Sequence, residues 1–473
     1  MMERLTDFRT ADWDEQVSML ANEEIAQEVE AWIGSVAFAE LRQLSSGGRH
    51  LAGGKRNLIV VPGVMGSMLQ SSGEAGIWWV DMLRARDKLN SLALAPDGLT
   101  DLLPGVEIEP CALDLSYAPM RQAIAQSGYF GGSIQFPYDW RKPLAASAAR
   151  LRDLIIKVYQ DYGESVHLVG HSMGGLMIRI TLMMYGDDLW SKVGKIVFIA
   201  TPHYGSPSIA GYLKNHLWGF EQLAVIGAFL SRDTLRTLWG VLSLLPAPVP
   251  IYPGARNSGP HPCANFDLYD AGAYRLGLDA AATLRLQRAL DAARKFYADL
   301  FNWHSNDLSP TQRGKMLQIC GVGRKTLFRL EVKPGWLGLW EDVDKITNRT
   351  ESDPHRDGDG RVPLASAELE KIELRYIKGT HGSLQNMPAV VGDVVAWITE
   401  QPLSLPDSAS GALRGHLSGE RTSMAPHLDG SAEFSPHDDE YDRYRDFSES
   451  QIRELVADWQ AGKLSAVDMA RIL

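Results

Sequence analysis

Short apolar runs recur along the chain from residue 57 onward, and stretches of helical period separate several of them. The runs are NLIVV at Asn57, SIQF at Ser133, SVHLV at Ser165, KIVFIA at Lys195, MLQICGV at Met316 and ELRYI at Glu373. Runs this short and this apolar predict strands buried on both faces. Between them, Leu151, Leu154, Ile155, Val158, Tyr159 and Tyr162 recur at the spacing of one helix face. Strands alternating with helices predict an α/β fold, a mostly parallel sheet with helices on both faces.

Four regions break this alternation. Residues 1–50 are acidic, with Trp13, Val17 and Leu20 and then Ile25, Val29, Trp32, Ile33 and Val36 at helical spacing. They predict an N-terminal helical extension packed on the main domain, with a partner-docking arm as the alternative. Between Tyr204 and Ser305 lie LWGFEQLAVIGAFL, TLRTLWGVLSLLP and PVPIYPGARNSGPHP. A long insertion between sheet strands predicts a helical cap at about 204–305. Its apolar content exceeds what one helix face needs. Part of it, with Trp218 and Phe229 foremost and Leu235, Leu238, Trp239, Leu242 and Leu245 behind them, is expected to line an acyl channel or touch lipid. A plainly buried cap is the alternative. Residues 401–447 are polar and turn-rich and read as a linker. The tail, 448–473, turns helical again, with Ile452, Leu455, Val456 and Trp459 on one stripe. It is expected to dock on a protein partner or back on the main domain, which spans 51–400.

Composition narrows the function classes. The chain is 45% hydrophobic and 22% charged, as globular proteins are. A net charge of −11 without a long Lys/Arg cluster argues against nucleic-acid binding and against a purely electrostatic membrane anchor. Cys111, Cys263 and Cys320 form neither a disulfide framework nor a zinc pattern and suit a reducing compartment. The first residues lack the charged and apolar blocks of a signal peptide. The most apolar stretches are broken by prolines and too short to span a bilayer. The expected location is cytoplasmic, peripheral to a membrane at most. The sequon at Asn348 is then silent.

Chemistry concentrates at SVHLVGHSMGGLMIRI, from Ser165 to Ile180. A strand ends and a helix begins around Gly170-x-Ser172-x-Gly174, so Ser172 falls on a strand-to-helix turn, where a nucleophile is held out at the edge of a sheet. Its base is expected to be His381, in the loop KGTHGSLQNMP after a strand and before a helix. The orienting acid should follow the strand MLQICGV, and SDPHRDGDGRVPL offers Asp353, Asp357 and Asp359. Asp359 is preferred over Asp357 because Asp359-Gly360-Arg361-Val362 matches the D-G-x-V pattern of hydrolase acids. A calcium loop is rejected, since Leu364 stands where a bidentate Glu is needed. The oxyanion donors are expected to be the N–H groups of Met173, after the nucleophile, and of Val64, in VVPGVMGS. His167 and His171 are too local to act as base and read as structural. Neither a metal nor a cofactor is expected.

In these motifs the chain resembles the lecithin:cholesterol acyltransferase family, which includes lysosomal phospholipase A2 and phospholipid:diacylglycerol acyltransferase. The matching segments are VPGVMGSML at Val61, IWWVDMLR at Ile77, PYDWR at Pro137, HLVGHSMGGL at His167, CGVG at Cys320, GDGRVPL at Gly358 and THGSLQNMP at Thr380. They span about residues 57–400, in the family's order. The resemblance implies an α/β-hydrolase core, a membrane-binding or cap region, and acyl transfer from phospholipids. It also implies the triad Ser172, Asp359 and His381, with Val64 and Met173 as donors. Of the adjacent Trp78 and Trp79, one is expected to line the acyl site and the other to pack inward, and Trp78 is assigned to the substrate. Asp139 and Arg141 fit a structural pair beneath Trp140 as well as a substrate role. The chain departs from the secreted members in giving Cys111 no nearby disulfide partner.

The expected function is therefore a serine-dependent lipid acyl hydrolase or O-acyltransferase working through an acyl-enzyme on Ser172. Its expected partner is a lipid ester, at a membrane surface if it is aggregated. The alternatives are an esterase or deacylase on a soluble or peptide-linked ester, and a non-catalytic scaffold.

Overall fold

A computed structural model describes parts of residues 4–42, then 55–71, 89–214, 231–255, 261–334, 341–347 and 358–415. Trp78, Trp218, Phe229, Asp353, Asp357, Asn348 and everything beyond 415 lie outside the described residues.

The described strands are β1 (Leu58–Val61), β2 (Ser67–Ser71), β3 (Ile108–Leu113), β4 (Ile134–Gln135), β5 (Val166–His171), β6 (Val193–Ile199), β7 (Met316–Val322), β8 (Leu327–Pro334), β9 (Glu341–Thr347) and β10 (Glu373–Lys378). Helices used below are α1 (Trp13–Met19), α2 (Glu23–Ile33), α3 (Ala118–Gln126), α4 (Ala145–Tyr162), α5 (Met173–Leu189), α6 (Pro207–Leu213), α7 (Ala280–Asn302) and α8 (Pro388–Ile398). Six of the strands form a wholly parallel sheet in the order β10-β7-β6-β5-β1-β4. Every one of them overlaps one of the six apolar runs.

The sheet is buried on both sides because successive side chains alternate between faces. Ile59 and Val61 of β1 enter one core, with Leu151, Ile155 and Val158 of α4 and Leu176 of α5. Leu58 and Val60 enter the opposite core, with Met120 and Ile124 of α3 and Val390 and Val394 of α8. Tyr162, at the end of the α4 apolar face, is exposed.

Two antiparallel pairs stand outside the sheet, β2 with β3 and β8 with β9. Phe8, Leu20, Ala26 and Val29, from the N-terminal segment that includes α1 and α2, pack on Met68, Ala112 and Ala118. The excursion between β2 and β3 is tied down by Arg141. Its guanidinium, fully buried, forks onto Asp139 (Nε–Oδ1 2.9 Å, Nη2–Oδ2 2.7 Å) and reaches Asp101 at 2.6 Å. Trp140, also fully buried, donates from Nε1 to the Ser67 carbonyl at 3.2 Å. PYDWR is thus a fastening between segments.

The described part of the insertion holds α6, α7 and, between them, two single turns, Arg232–Leu235 and Trp239–Leu242. Because the chain turns between them, Leu235, Leu238, Leu242 and Leu245 all face the core that holds Ile59 and Phe198. These four leucines therefore follow the buried alternative rather than a lipid-facing one. The backbone at Gly240 comes so close that a Cβ there would lie 2.3 Å from the Trp140 carbonyl oxygen. No described helix is long and apolar enough to cross a membrane.

Candidate active site

Strand β5 ends at His171 and α5 begins at Met173. Ser172 is the single residue between them, at φ 53° and ψ −126°. A positive φ costs a non-glycine residue conformational energy, so the neighbours must enforce it. They do so through close backbone contacts. A Cβ on Gly170 would sit 2.7 Å from the Gly175 nitrogen, and one on Gly174 would sit 2.2 Å from the Val61 carbonyl oxygen. One on Gly175 would sit 2.0 Å from Thr201 Oγ1. Ser172 N–H donates to the Ile199 carbonyl at 2.8 Å, which pins the turn to the end of β6.

Ser172 Oγ lies 2.9 Å from His381 Nε2, and His381 Nδ1 lies 2.7 Å from Asp359 Oδ2. A carboxylate accepts, so Nδ1 carries the proton and Nε2 is free to accept from the serine hydroxyl. All three side chains are buried. Asp359 Oδ1 accepts from the N–H groups of Arg361 (2.9 Å) and Val362 (2.8 Å), and the His381 N–H donates to the Asp359 carbonyl at 2.9 Å. Burial pushes the Asp359 carboxyl up. The charge and hydrogen bond of His381 and the two backbone donors outweigh burial and hold it below its usual range. Gly321, near the end of β7, leaves room for this loop, since a Cβ there would meet Asp359 Cβ at 2.6 Å.

The loop after β1 lies against the serine. A Cβ on Gly63 would be 2.9 Å from Ser172 Cβ and 3.3 Å from its Oγ. Val64 follows it, half-buried. Met173 opens α5, and N–H groups of a first helical turn have no partner within the helix.

A further arrangement was not anticipated from the sequence. The Gly63 N–H donates to Tyr117 Oη at 2.8 Å, and Tyr117 Oη lies 2.8 Å from His171 Nδ1. The His381 carbonyl beside Nε2 can only accept, so Nδ1 is bare and Tyr117 gives its own proton to it. The His171 proton is then on Nε2, which donates to the His381 carbonyl at 3.1 Å. Burial, helped by the charge of His381, lowers the His171 pKa to about 3, so the ring is neutral and keeps this tautomer. One relay joins the Gly63 loop to the His381 loop. The adjacency of His171 to Ser172 was the only signal of it in the sequence. His167 accepts from the Lys195 N–H at 3.0 Å and lies at the other end of β5. Among the described residues, no group of three or more His, Cys, Asp or Glu side chains is arranged to hold a metal ion.

Comparison with solved structures finds similar chains at low identity. A chain of the Tle4-Tli4 complex is 15% identical, with 73% of this chain and 97% of that chain covered and a TM-score of 0.46. The lipase BlEst2 of Bacillus licheniformis in mature form is 15% identical, over 72% of this chain and 89% of its own, at a TM-score of 0.32. The 2-hydroxy-6-oxo-6-phenylhexa-2,4-dienoate hydrolase of Rhodococcus is 12% identical, over 73% and 91%, at a TM-score of 0.27. A comparison with curated proteins gives no match. Residues 109–247, which include PYDWR and the turn at Ser172, match the sequence model of the Lecithin:cholesterol acyltransferase family, so over that part of this α/β chain the resemblance read from the motifs holds.

Proposed function

We propose that the chain is a serine hydrolase or acyltransferase that takes the acyl group of a lipid ester onto Ser172. The observation that carries this reading is the unbroken hydrogen-bond chain Asp359–His381–Ser172 at a strained strand-to-helix turn. Ser172 Oγ attacks the ester carbonyl carbon while its proton passes to His381 Nε2. Asp359 stabilises the imidazolium. The oxyanion is received by the N–H groups of Val64 and Met173. Collapse breaks the ester C–O bond, and His381 returns the proton to the departing alcohol. Water or a second alcohol then repeats the sequence in reverse on the acyl-enzyme.

The family similarity supports a lipid ester as the donor. So does an exposed apolar group in the excursion between β2 and β3, where Leu99, Leu102 and Leu103 are 48%, 51% and 40% exposed. Apolar side chains clustered this closely at the surface suit contact with lipid. Burial of Leu235, Leu238, Leu242 and Leu245 favours the second reading, an esterase or deacylase on a soluble ester. In either reading, residues 204–305 serve as a cap, and 1–50 and 448–473 as appended helical segments. Trp78, Trp218 and Phe229 remain proposed contacts of the acyl group.

Incubation with phosphatidylcholine vesicles, with and without a long-chain alcohol, separates the readings by mass spectrometry of the products. Free fatty acid alone identifies a hydrolase, and a new alcohol ester identifies a transferase. Replacing Leu99, Leu102 and Leu103 by Ser should weaken vesicle turnover and spare a short soluble ester. Turnover of the soluble ester alone by the unmodified protein would favour the second reading.

A further inference from the structure

A second group of buried polar side chains lines a cavity distinct from Ser172. Arg179, on α5 about two turns beyond the serine, meets His203 from the segment after β6. Tyr297 of α7 and His304 just beyond it complete the polar lining. All four are at least nine-tenths buried. Among the described residues no carboxylate pairs with Arg179, whose hydrogen-bond partner is His203 Nδ1 at 3.2 Å. A guanidinium can only donate, so Nδ1 accepts and the His203 proton sits on Nε2. That Nε2–H has no acceptor. Neither does the Arg179 Nε–H, and Tyr297 Oη and His304 Nδ1 are also unpartnered.

This is an excess of donors around an uncompensated positive charge. Burial lowers the Arg179 pKa only to about 10, so it is cationic at neutral pH, while burial keeps His203 and His304 neutral. A buried cation without a counter-charge is costly, and buried donors without acceptors add to that cost. Water relieves the second cost but not the first. Phe301, which also lines the cavity, is 41% exposed and puts one wall at the protein surface.

We propose that this cavity, of about 10 Å³, binds a halide through Arg179 Nε–H, His203 Nε2–H and Tyr297 O–H. The full-length protein tests it. Its melting temperature is measured at fixed ionic strength while sodium gluconate is replaced by chloride, formate or butyrate. The melting temperature should rise saturably with the bound anion, as mass action requires. A rise with chloride that formate matches only weakly identifies a halide site, and an equal rise with butyrate, which exceeds the cavity, overturns the proposal. Arg179→Met should abolish the dependence. Tyr297→Phe keeps the ring and loses one donor, and should raise the half-saturating concentration about tenfold. If Arg179→Met fails to fold, Tyr297→Phe decides the matter. A melting temperature indifferent to the anion, or one that responds equally in both variants, overturns the proposal.

Discussion

At the scale of single residues, the account rests on protons with defined positions. Ser172→Ala removes the attacking oxygen and little volume. Ester turnover should fall by ~10³–10⁶-fold, because the three residues act as a unit. The melting temperature should hold, and a fall in both would mean that the serine is structural. Tyr117→Phe is a sharper probe of the relay. It leaves the Gly63 N–H and His171 Nδ1 without partners in a buried place, at about 1–3 kcal/mol of stability. If part of that cost is expressed at the transition state, kcat drops roughly ten- to a hundredfold with KM little changed. Chemical denaturation and steady-state kinetics on a soluble ester measure the two. An unchanged kcat would reduce the relay to packing. Ser172, His381 and Asp359 could be read in the sequence because each sits in a local motif. The D-G-x-V pattern favoured Asp359 over Asp357, and the Val362 N–H bond to Asp359 Oδ1 shows what that pattern does physically. The relay was hidden because Tyr117 and His171 are 54 residues apart and share no local pattern.

At the scale of elements, the apolar runs marked all six strands of the parallel sheet, since burial on both faces of the inner strands leaves few polar positions, such as His167 and Gln318, to interrupt them. The two antiparallel pairs escaped notice. IEPCAL carries a proline, and its partner SMLQS lies some 40 residues earlier, so no hairpin signal joins them. In the insertion, Leu235, Leu238, Leu242 and Leu245 follow the buried alternative, because an apolar surplus counted along one helix disappears when the chain turns, as it does between Leu235 and Trp239. The turn at Ser172 makes its own prediction. Gly174→Ala drives a Cβ into the Val61 carbonyl, and backbone cannot yield as a side-chain tip can. The cost should be about 1–3 kcal/mol or more, with loss of activity as Ser172 shifts. Gly163→Ala, at the left-handed end of α4 with open space around it, should cost only about 1 kcal/mol and leave activity intact. Equal effects in calorimetry and turnover would contradict the contact argument.

At the scale of the whole molecule, the buried histidines set the response to acid. Burial lowers His167 and His304 to about 4 and His171 to about 3, from an ordinary 6.5. As pH falls below about 6.5, the unfolded chain takes up protons that the folded chain refuses until pH 4 to 3. The unfolded state binds more protons throughout that window, so stability is full above about 6.5 and falls steadily with acid. Asp359 adds to the loss at the lower end, because its depressed pKa gives stability that is present above about 3.9 and lost below it. Melting temperatures between pH 7.5 and 4.5 should therefore decline monotonically, and a flat profile would contradict the burial of neutral imidazoles. The central claim, that an acyl group passes through Ser172, has a more direct test. The protein is mixed with phosphatidylcholine vesicles, quenched in acid within one turnover, digested and examined by mass spectrometry. The account predicts one acyl increment on the peptide that contains Ser172, absent in Ser172→Ala. An increment on another residue, or product formation by Ser172→Ala at the normal rate, would contradict it.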